Sequence, residues 1–160
     1  MEAKDLVIRE ITSDDREMVE KFFAGLGEES TWMFNYSGGN TRLALSYVDG
    51  DRENRIYWLA EEETESGKRI AGYVFLWNLH KTVAWFGIAV ADDWKGRRLG
   101  TRLIRHAIDY CKDNGYGAIM LSTRFENVNA QRLYEKNGFE RIGKLGEGNV
   151  EYLYIHQFDK

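Results

Sequence analysis

The sequence predicts a single α/β domain of the α+β kind, with a mixed, mostly antiparallel sheet and helices on both faces. Three observations predict it. Strand-like runs and segments of helical period succeed one another along the whole chain. Three of the strand-like runs follow in series with short turns between them, which argues for antiparallel pairing. In the second half strand, helix and strand alternate, which argues for parallel pairing there. The 160 residues suit one core. No linker, repeat or low-complexity tract divides residues 1–160.

The elements follow in order. Asp5–Ile11 reads as a first strand. Thr12 or Ser13 can cap a helix to about Ala24, with Asp14 and Asp15 in the first turn, where the helix dipole favours acids. Met18, Val19, Phe22 and Phe23 fall at helical spacing in it. The stretch ESTWMFNYSGGN is looser, and Asn40 can cap a second helix through Val48. Arg55–Glu62, Arg69–His80 and Thr82–Ala91 are the three strands in series, and Ser66-Gly67 suits the first hairpin turn. Leu99–Lys112 is amphipathic, with Leu99, Leu103, Ile104, Ala107, Ile108 and Cys111 as its apolar stripe. Asn114-Gly115 ends it. Ala118–Thr123 is the next strand, Asn129–Lys136 a short helix ended by Asn137-Gly138, and Phe139–Gly143 with Val150–Phe158 a closing hairpin. The predicted order is β-α-α-β-β-β-α-β-α-β-β.

Composition excludes several classes. Hydrophobic residues at 43% and charged residues at 30% describe a globular chain, not a disordered one. The net charge of −4 gives no nucleic-acid footprint. No apolar run approaches the ~20 residues of a membrane span, and MEAKDLVIRE has no signal-peptide core. The lone Cys111 forms no intramolecular disulfide and fits a reducing, cytoplasmic setting. No metal-ligand spacing appears; His106 and His156 lack partner residues that suggest a site.

Two segments carry chemistry. In Val90–Thr101, VADDWKGRRLGT, a strand ends, a basic glycine-containing loop follows and a helix begins. Backbone N–H groups at a helix start make an anion site, and Lys95, Arg97 and Arg98 add charge. The alternative is a solvated basic turn. Neither a Walker A loop nor GxGxxG is present. In Phe125–Phe139, FENVNAQRLYEKNGF, Asn127 and Tyr134 stand seven residues apart, on one face of a helix. That pair can present an amide and a phenol to one ligand, or simply cap and pack an ordinary helix.

Together these segments resemble the GNAT superfamily of acetyl-CoA-dependent N-acetyltransferases, whose element order is also similar. The superfamily's phosphate loop, Gln/Arg-x-x-Gly-x-Gly/Ala, aligns with Lys95-Gly96-Arg97-Arg98-Leu99-Gly100, followed by Thr101 at the helix start. Lys95 replaces Gln or Arg, and Arg98 replaces the first glycine. The second motif, Asn-x-x-Ala-x-x-Leu-Tyr-x-x-x-Gly-Phe, is matched at Asn127, Ala130, Leu133, Tyr134, Gly138 and Phe139. A positive φ at Arg98 would cost about 1–2 kcal/mol; the intact features around it favour a negative φ. IREITSDDREMVEKFFAGL also resembles the catalytic domain of bacterial and archaeal protein-lysine acetyltransferases.

The resemblance implies acetyl-CoA as cosubstrate and a primary amine as acceptor, on a small molecule or on a protein lysine or N-terminus. It leaves a homodimer possible and calls for no nucleic acid or membrane. Ile88, Ala89 and Val90 on a splayed fourth strand then hold the pantetheine arm and polarise the thioester carbonyl. Gly96, Arg97, Arg98, Leu99, Gly100 and Thr101 hold the pyrophosphate, Asn127 binds the pantetheine, and Tyr134 protonates the leaving thiolate. Gly87 either marks a bulge that opens the strand or is a small packing residue. No Asp or Glu lies in Trp85–Ala91. His80, sharing a strand face with Asn78, is therefore the candidate base, or else an exposed strand-end histidine. Trp32, Phe34 and Tyr36, before Gly38-Gly39, either form an acceptor lid or pack in the core. The run Glu61–Glu65 either attracts cationic substrates or is a solvated hairpin tip. Two other functions stay open: a non-catalytic acyl-CoA-binding module, and nucleic-acid binding through Lys95–Arg105, which net charge and the lack of interleaved aromatics oppose.

Overall fold

A computed structural model describes residues 1–35, 38–148 and 150–158. One seven-stranded sheet runs through them: β1 (Val7–Glu10), β2 (Ile56–Thr64), β3 (Gly67–Trp77), β4 (Val83–Val90), β5 (Ala118–Arg124), β6 (Glu140–Leu145) and β7 (Glu151–Gln157). Their spatial order is β1-β2-β3-β4-β5-β7-β6. Every neighbouring pair is antiparallel except β4 and β5. The helices are α1 (Arg16–Ala24), α2 (Glu28–Phe34), α3 (Gly39–Val48), α4 (Leu99–Asp113) and α5 (Val128–Lys136).

Strand pleating decides which helix covers which face, because successive side chains point to opposite sides. On one face, Tyr73 of β3 meets Phe22 and Phe23 of α1 at ring separations of 5.6 Å each. Tyr57 of β2 meets Tyr47 of α3 on that face at 4.8 Å. On the other face α4 lies so close that a Cβ on Gly72 would stand 3.0 Å from Leu103 Cδ1. Helix α5 joins α4 there, with Leu133 against Gly100. The predicted apolar stripe of α4 is buried throughout. Cys111 is part of it, and burial pushes its thiol up to about 12, as suits a packing residue.

Four local expectations change. The stretch after α1 holds a seven-residue helix, α2, where an irregular connection was expected. Its start is satisfied from far along the chain: Asp92 accepts from the Gly27 N–H (2.8 Å) and the Ser30 hydroxyl (2.7 Å). Asn40 does not cap α3. Gly38, at φ +73°, occupies the cap position, and the Asn40 amide donates to the Phe34 carbonyl at the end of α2. Strand β3 stops at Trp77 because Asn78 turns with φ +60°, so Asn78 and His80 lie in the β3–β4 turn and not on a strand face. Gly87 is no bulge, for the β3–β4 register runs unbroken across Phe75↔Gly87. The Phe75 ring fills the space above Gly87, where a Cβ would come within 2.0 Å of Phe75 Cζ.

Overpacked cores lose stability, typically by about 1–3 kcal/mol. Gly87→Ala is therefore expected to lower the unfolding free energy by about that amount in urea titration, and an unchanged midpoint would place the Phe75 ring elsewhere.

Candidate active site

The β4–β5 ladder is short. It pairs Val83↔Ala118, Ala84↔Ile119 and Trp85↔Met120, then stops, although β4 continues to Val90 and β5 to Arg124. Each strand stays paired on its outer side, β4 with β3 as far as Gly72↔Val90 and β5 with β7 as far as Arg124↔Glu151. A gap therefore opens between two held strands. The Ala91 N–H donates to the Ala71 carbonyl on β3 at 2.8 Å. Backbone direction alternates along a strand, so Ala89 and Ala91 aim their N–H and C=O at β3, while Ile88 and Val90 aim theirs into the gap. Residues 87–90 are accordingly only partly buried.

A basic loop closes one end of the gap. After β4 a 3₁₀ turn, Asp92–Trp94, fixes the chain by burying Trp94, whose Nε1–H donates to Glu62 at 2.9 Å. Gly96 follows at φ +74° and Arg98 at φ +70°. The expectation of a negative φ at Arg98 is thus corrected: this residue is the cap of α4, and the chain enters the helix through a left-handed position, as it enters α3 through Gly38. The first intrahelical bond is Arg102 N–H to the Arg98 carbonyl, 3.3 Å. No side chain caps this end, so the N–H groups of Leu99, Gly100 and Thr101 are open to an anion. Not every cation of the loop is free. Lys95 turns to Asp92 (3.4 Å) and Ser30, and Arg97 lies 3.7 Å over the Trp94 ring with Nη2 donating to the Met1 carbonyl. Arg98 has no hydrogen-bond or ion-pair partner among the described residues.

Helix α5 brings its two marked residues to the gap in different ways. Asn127 caps the helix, its Oδ1 accepting from the Ala130 N–H at 3.2 Å. Tyr134 is 6% exposed, with ring centres 6.2 Å from Phe86, 5.9 Å from Phe139 and 6.0 Å from Tyr154. Phe86 is the first residue of β4 beyond the ladder, so Tyr134 packs beside the point where the gap opens. Burial, reinforced by Tyr154, pushes its hydroxyl well above the ordinary tyrosine range, so it holds its proton at neutral pH. No protein group among the described residues bonds to that hydroxyl.

The opposite face of the gap is crossed by α2. Its start is tied to Asp92, just past β4, and Trp32 in its middle lies under the Arg124 guanidinium at 4.1 Å, at the end of β5. Phe34 packs on Phe23 and Tyr73, so it belongs to the core. Tyr36 lies outside the described residues. Extending the β4–β5 register past Trp85↔Met120 sets Ser122 level with Gly87 and Arg124 level with Ala89. Both share the α2 face, as does Glu151, opposite Arg124 on β7. The Glu151 carboxylate accepts from the Ser122 hydroxyl at 3.3 Å and has no cation partner among the described residues. Sequence reading missed Glu151 because only the β5–β7 pairing brings it to the gap. His80 is set apart in the β3–β4 turn, at the closed end of the strand pair. Glu61 and Glu62 are spent within the fold, on Arg9 and Lys68 and on Arg69 and Trp94.

Among the described residues no cluster of side chains suits a metal ion, and no helix is long and apolar enough to cross a membrane. The donors that are present fit a ligand with a phosphate chain and an amide-bearing arm. A strand pair parted beside an open helix start, with a tyrosine-bearing helix alongside, defines the N-acetyltransferase class of fold. The chain belongs to the Acetyltransferase (GNAT) family, whose sequence profile matches residues 19–139. It is 32% identical over 79 residues to a putative [ribosomal protein bS18]-alanine N-acetyltransferase of Bacillus subtilis, covering 49% of this chain and 52% of that protein. It thus spans about half the length of that relative, and less of others. Similar folds include the GNAT domain of S. lividans PAT, at a TM-score of 0.79 and 16% identity over 96% of this chain and 90% of that one. Spermidine N-acetyltransferase from Vibrio cholerae, solved with CoA and spermine, matches at a TM-score of 0.75 and 20% identity over 96% of each chain.

Relief of left-handed strain is worth about 1–2 kcal/mol, while glycine adds roughly 0.5–1 kcal/mol of chain entropy to be lost. Arg98→Gly is expected to raise the unfolding free energy by up to about 1 kcal/mol, and Arg98→Ala to give no such gain, in paired denaturant titrations.

Proposed function

We propose that the protein transfers an acetyl group from acetyl-CoA directly to a primary amine. The observation that carries this reading is the ladder that stops at Trp85↔Met120, leaving Ile88 and Val90 to face an open gap. Backbone groups of Ile88 and Val90 receive the pantetheine arm as an added strand, while Ala89, expected from the sequence to share in this, turns its own backbone groups to β3; an N–H in the gap polarises the thioester carbonyl. The N–H groups of Gly96, Arg97, Arg98, Leu99, Gly100 and Thr101 hold the pyrophosphate. Arg98 adds charge there, whereas Lys95 acts through Asp92 and Ser30 to seat α2 on the loop. Asn127 shapes the α5 end of the cleft.

The acceptor enters from the α2 face, between Trp32 and the β5–β7 surface. Its amine arrives as an ammonium ion. With an unperturbed lysine pKa of about 10.4, only about one in ~2,500 is neutral at pH 7. Glu151, held by Ser122, attracts that ammonium and takes its proton, directly or through a water. The amine nitrogen then bonds to the acyl carbon, the C–S bond breaks, and Tyr134 gives its proton to the departing sulfur. Relatives named for acetylating a ribosomal-protein alanine and spermidine agree with a primary amine as acceptor. The absence of a carboxylate within β4 favours one second reading, a module that binds acyl-CoA without turnover.

A panel of primary amines, read by thiol release and product mass, tests the choice. Turnover of any amine supports transfer; binding of acetyl-CoA with no turnover supports the module; no binding contradicts both. Tyr134→Phe is expected to lower kcat by about 10²–10⁴ with acetyl-CoA affinity nearly intact, and equal loss of affinity would make the residue structural. Glu151→Gln is expected to raise the amine KM roughly tenfold or more, as loss of a charged hydrogen bond worth about 1.5–3 kcal/mol requires, without changing acetyl-CoA binding. An unchanged KM and pH profile would remove Glu151 from the acceptor site.

A further inference from the structure

The α2 face of the sheet carries two opposite charges that stand side by side and do not pair with each other. Arg124 ends β5 and lies directly across the antiparallel ladder from Glu151 of β7. Cross-strand partners hold their Cβ atoms about 4.5–5.5 Å apart on one face, and opposite charges so placed ordinarily attract into contact. Here each head turns to something else. The Glu151 carboxylate accepts from the Ser122 hydroxyl. The Arg124 guanidinium lies 4.1 Å over the Trp32 ring. Its Nε stands 3.5 Å from the carboxylate of Glu126, a half-exposed acid whose attraction water screens. That Nε makes no hydrogen bond, and neither Nη donates to any described residue.

An arginine that rests on an aromatic ring keeps its N–H edge for a ligand, and that edge matches a carboxylate through two parallel hydrogen bonds. Glu151, its cross-strand neighbour, matches an ammonium. The two heads form a dipolar site, and the site lies at the gap, since the register extended from Trp85↔Met120 sets Arg124 level with Ala89. Side chains two apart on a strand share a face. Leu153 and Met120 therefore follow on this same face, through the pairs Ser122↔Leu153 and Met120↔Ile155, and both are only partly buried. They give an apolar floor beside the two charges. A ligand with an ammonium, a carboxylate and an apolar group on one carbon fits all three. A simple amine leaves the Arg124 edge unused. A peptide N-terminus offers it a neutral carbonyl, which accepts a hydrogen bond without meeting the charge.

We infer that the acceptor is a free α-amino acid with an apolar side chain, its ammonium at Glu151 and its carboxylate at Arg124. The inference rests on the transfer reaction proposed above, and the product is then the N-acetyl amino acid. The test measures kcat/KM for leucine, leucinamide and isoamylamine with the wild type and with Arg124→Gln. The three acceptors share a side chain and differ only at the carboxylate. In Arg124→Gln the ratios of leucine to leucinamide and of leucine to isoamylamine are each expected to fall tenfold or more, with acetyl-CoA affinity the same. Comparing each acceptor with itself across the two proteins removes the different basicities of the amines. Arg124→Lys keeps the charge without the two-pronged edge and is expected to restore part of both ratios. Equal loss for all three acceptors would make Arg124 a structural partner of Trp32. That result, or ratios that do not change, or turnover of either other amine without leucine, would overturn the inference. Should no amine be acetylated, it is the transfer reaction that fails. Leucine titrated by calorimetry into protein saturated with CoA still decides the site: binding weakened tenfold or more in Arg124→Gln supports it, while no binding, or binding indifferent to the substitution, overturns it.

Discussion

The parting of β4 from β5 is the constraint on which the rest of the structure depends. A sheet interior ordinarily pairs every backbone N–H and C=O, because a buried unpaired group costs about as much as a lost hydrogen bond. Here pairing ends after three residue pairs, in the middle of the sheet. The opening is sustained because each strand is fixed on its other side, β4 by β3 and β5 by β7. Phe75 lying over Gly87 keeps β4 flat against β3 at the level where the gap begins. Backbone groups that would otherwise complete a sheet are thereby left facing the gap.

The surroundings of the gap follow from that opening. Its end is closed by a loop that must turn a strand into a helix while leaving the helix start uncapped, and two left-handed residues, Gly96 and Arg98, make the turn. An arginine in that conformation exchanges some stability for a cation at the cap of α4. Asp92 links this loop to the other wall, for the same carboxylate starts α2 and receives Lys95. The basic loop and the α2 wall are therefore one hydrogen-bonded unit. Tyr134 stands on the α4–α5 side of the sheet and Glu151 on the α2 side, so the proposed proton donor to the sulfur and the proposed proton acceptor from the amine lie on opposite faces of the sheet.

Signals of short range were legible in the sequence. The period of α4, a cap at Thr12 or Ser13 and another at Asn127, the hairpin strands and the strand–helix–strand alternation all depend on near neighbours, and the elements form close to where the pattern put them. What was not legible is set by distant partners. Helix α2 takes its start from Asp92, some sixty residues on. Glu151 reaches the gap only through its register with Arg124. The φ of Arg98 follows from the path into α4, and the residue type gave the opposite expectation. His80 was placed by a strand three residues too long, and Asn78 in a left-handed turn removes it from the sheet face.

The central claim is that Ile88 and Val90 present unpaired backbone groups to a gap that acetyl-CoA fills. Amide hydrogen exchange resolved by residue tests it most directly. Without ligand, the Ile88 and Val90 amides should exchange much faster than those of Ala89 and Ala91, which face β3; with acetyl-CoA bound, at least one of the two should become protected. Equal protection of all four amides in the free protein, or no change on adding saturating acetyl-CoA, would contradict the account.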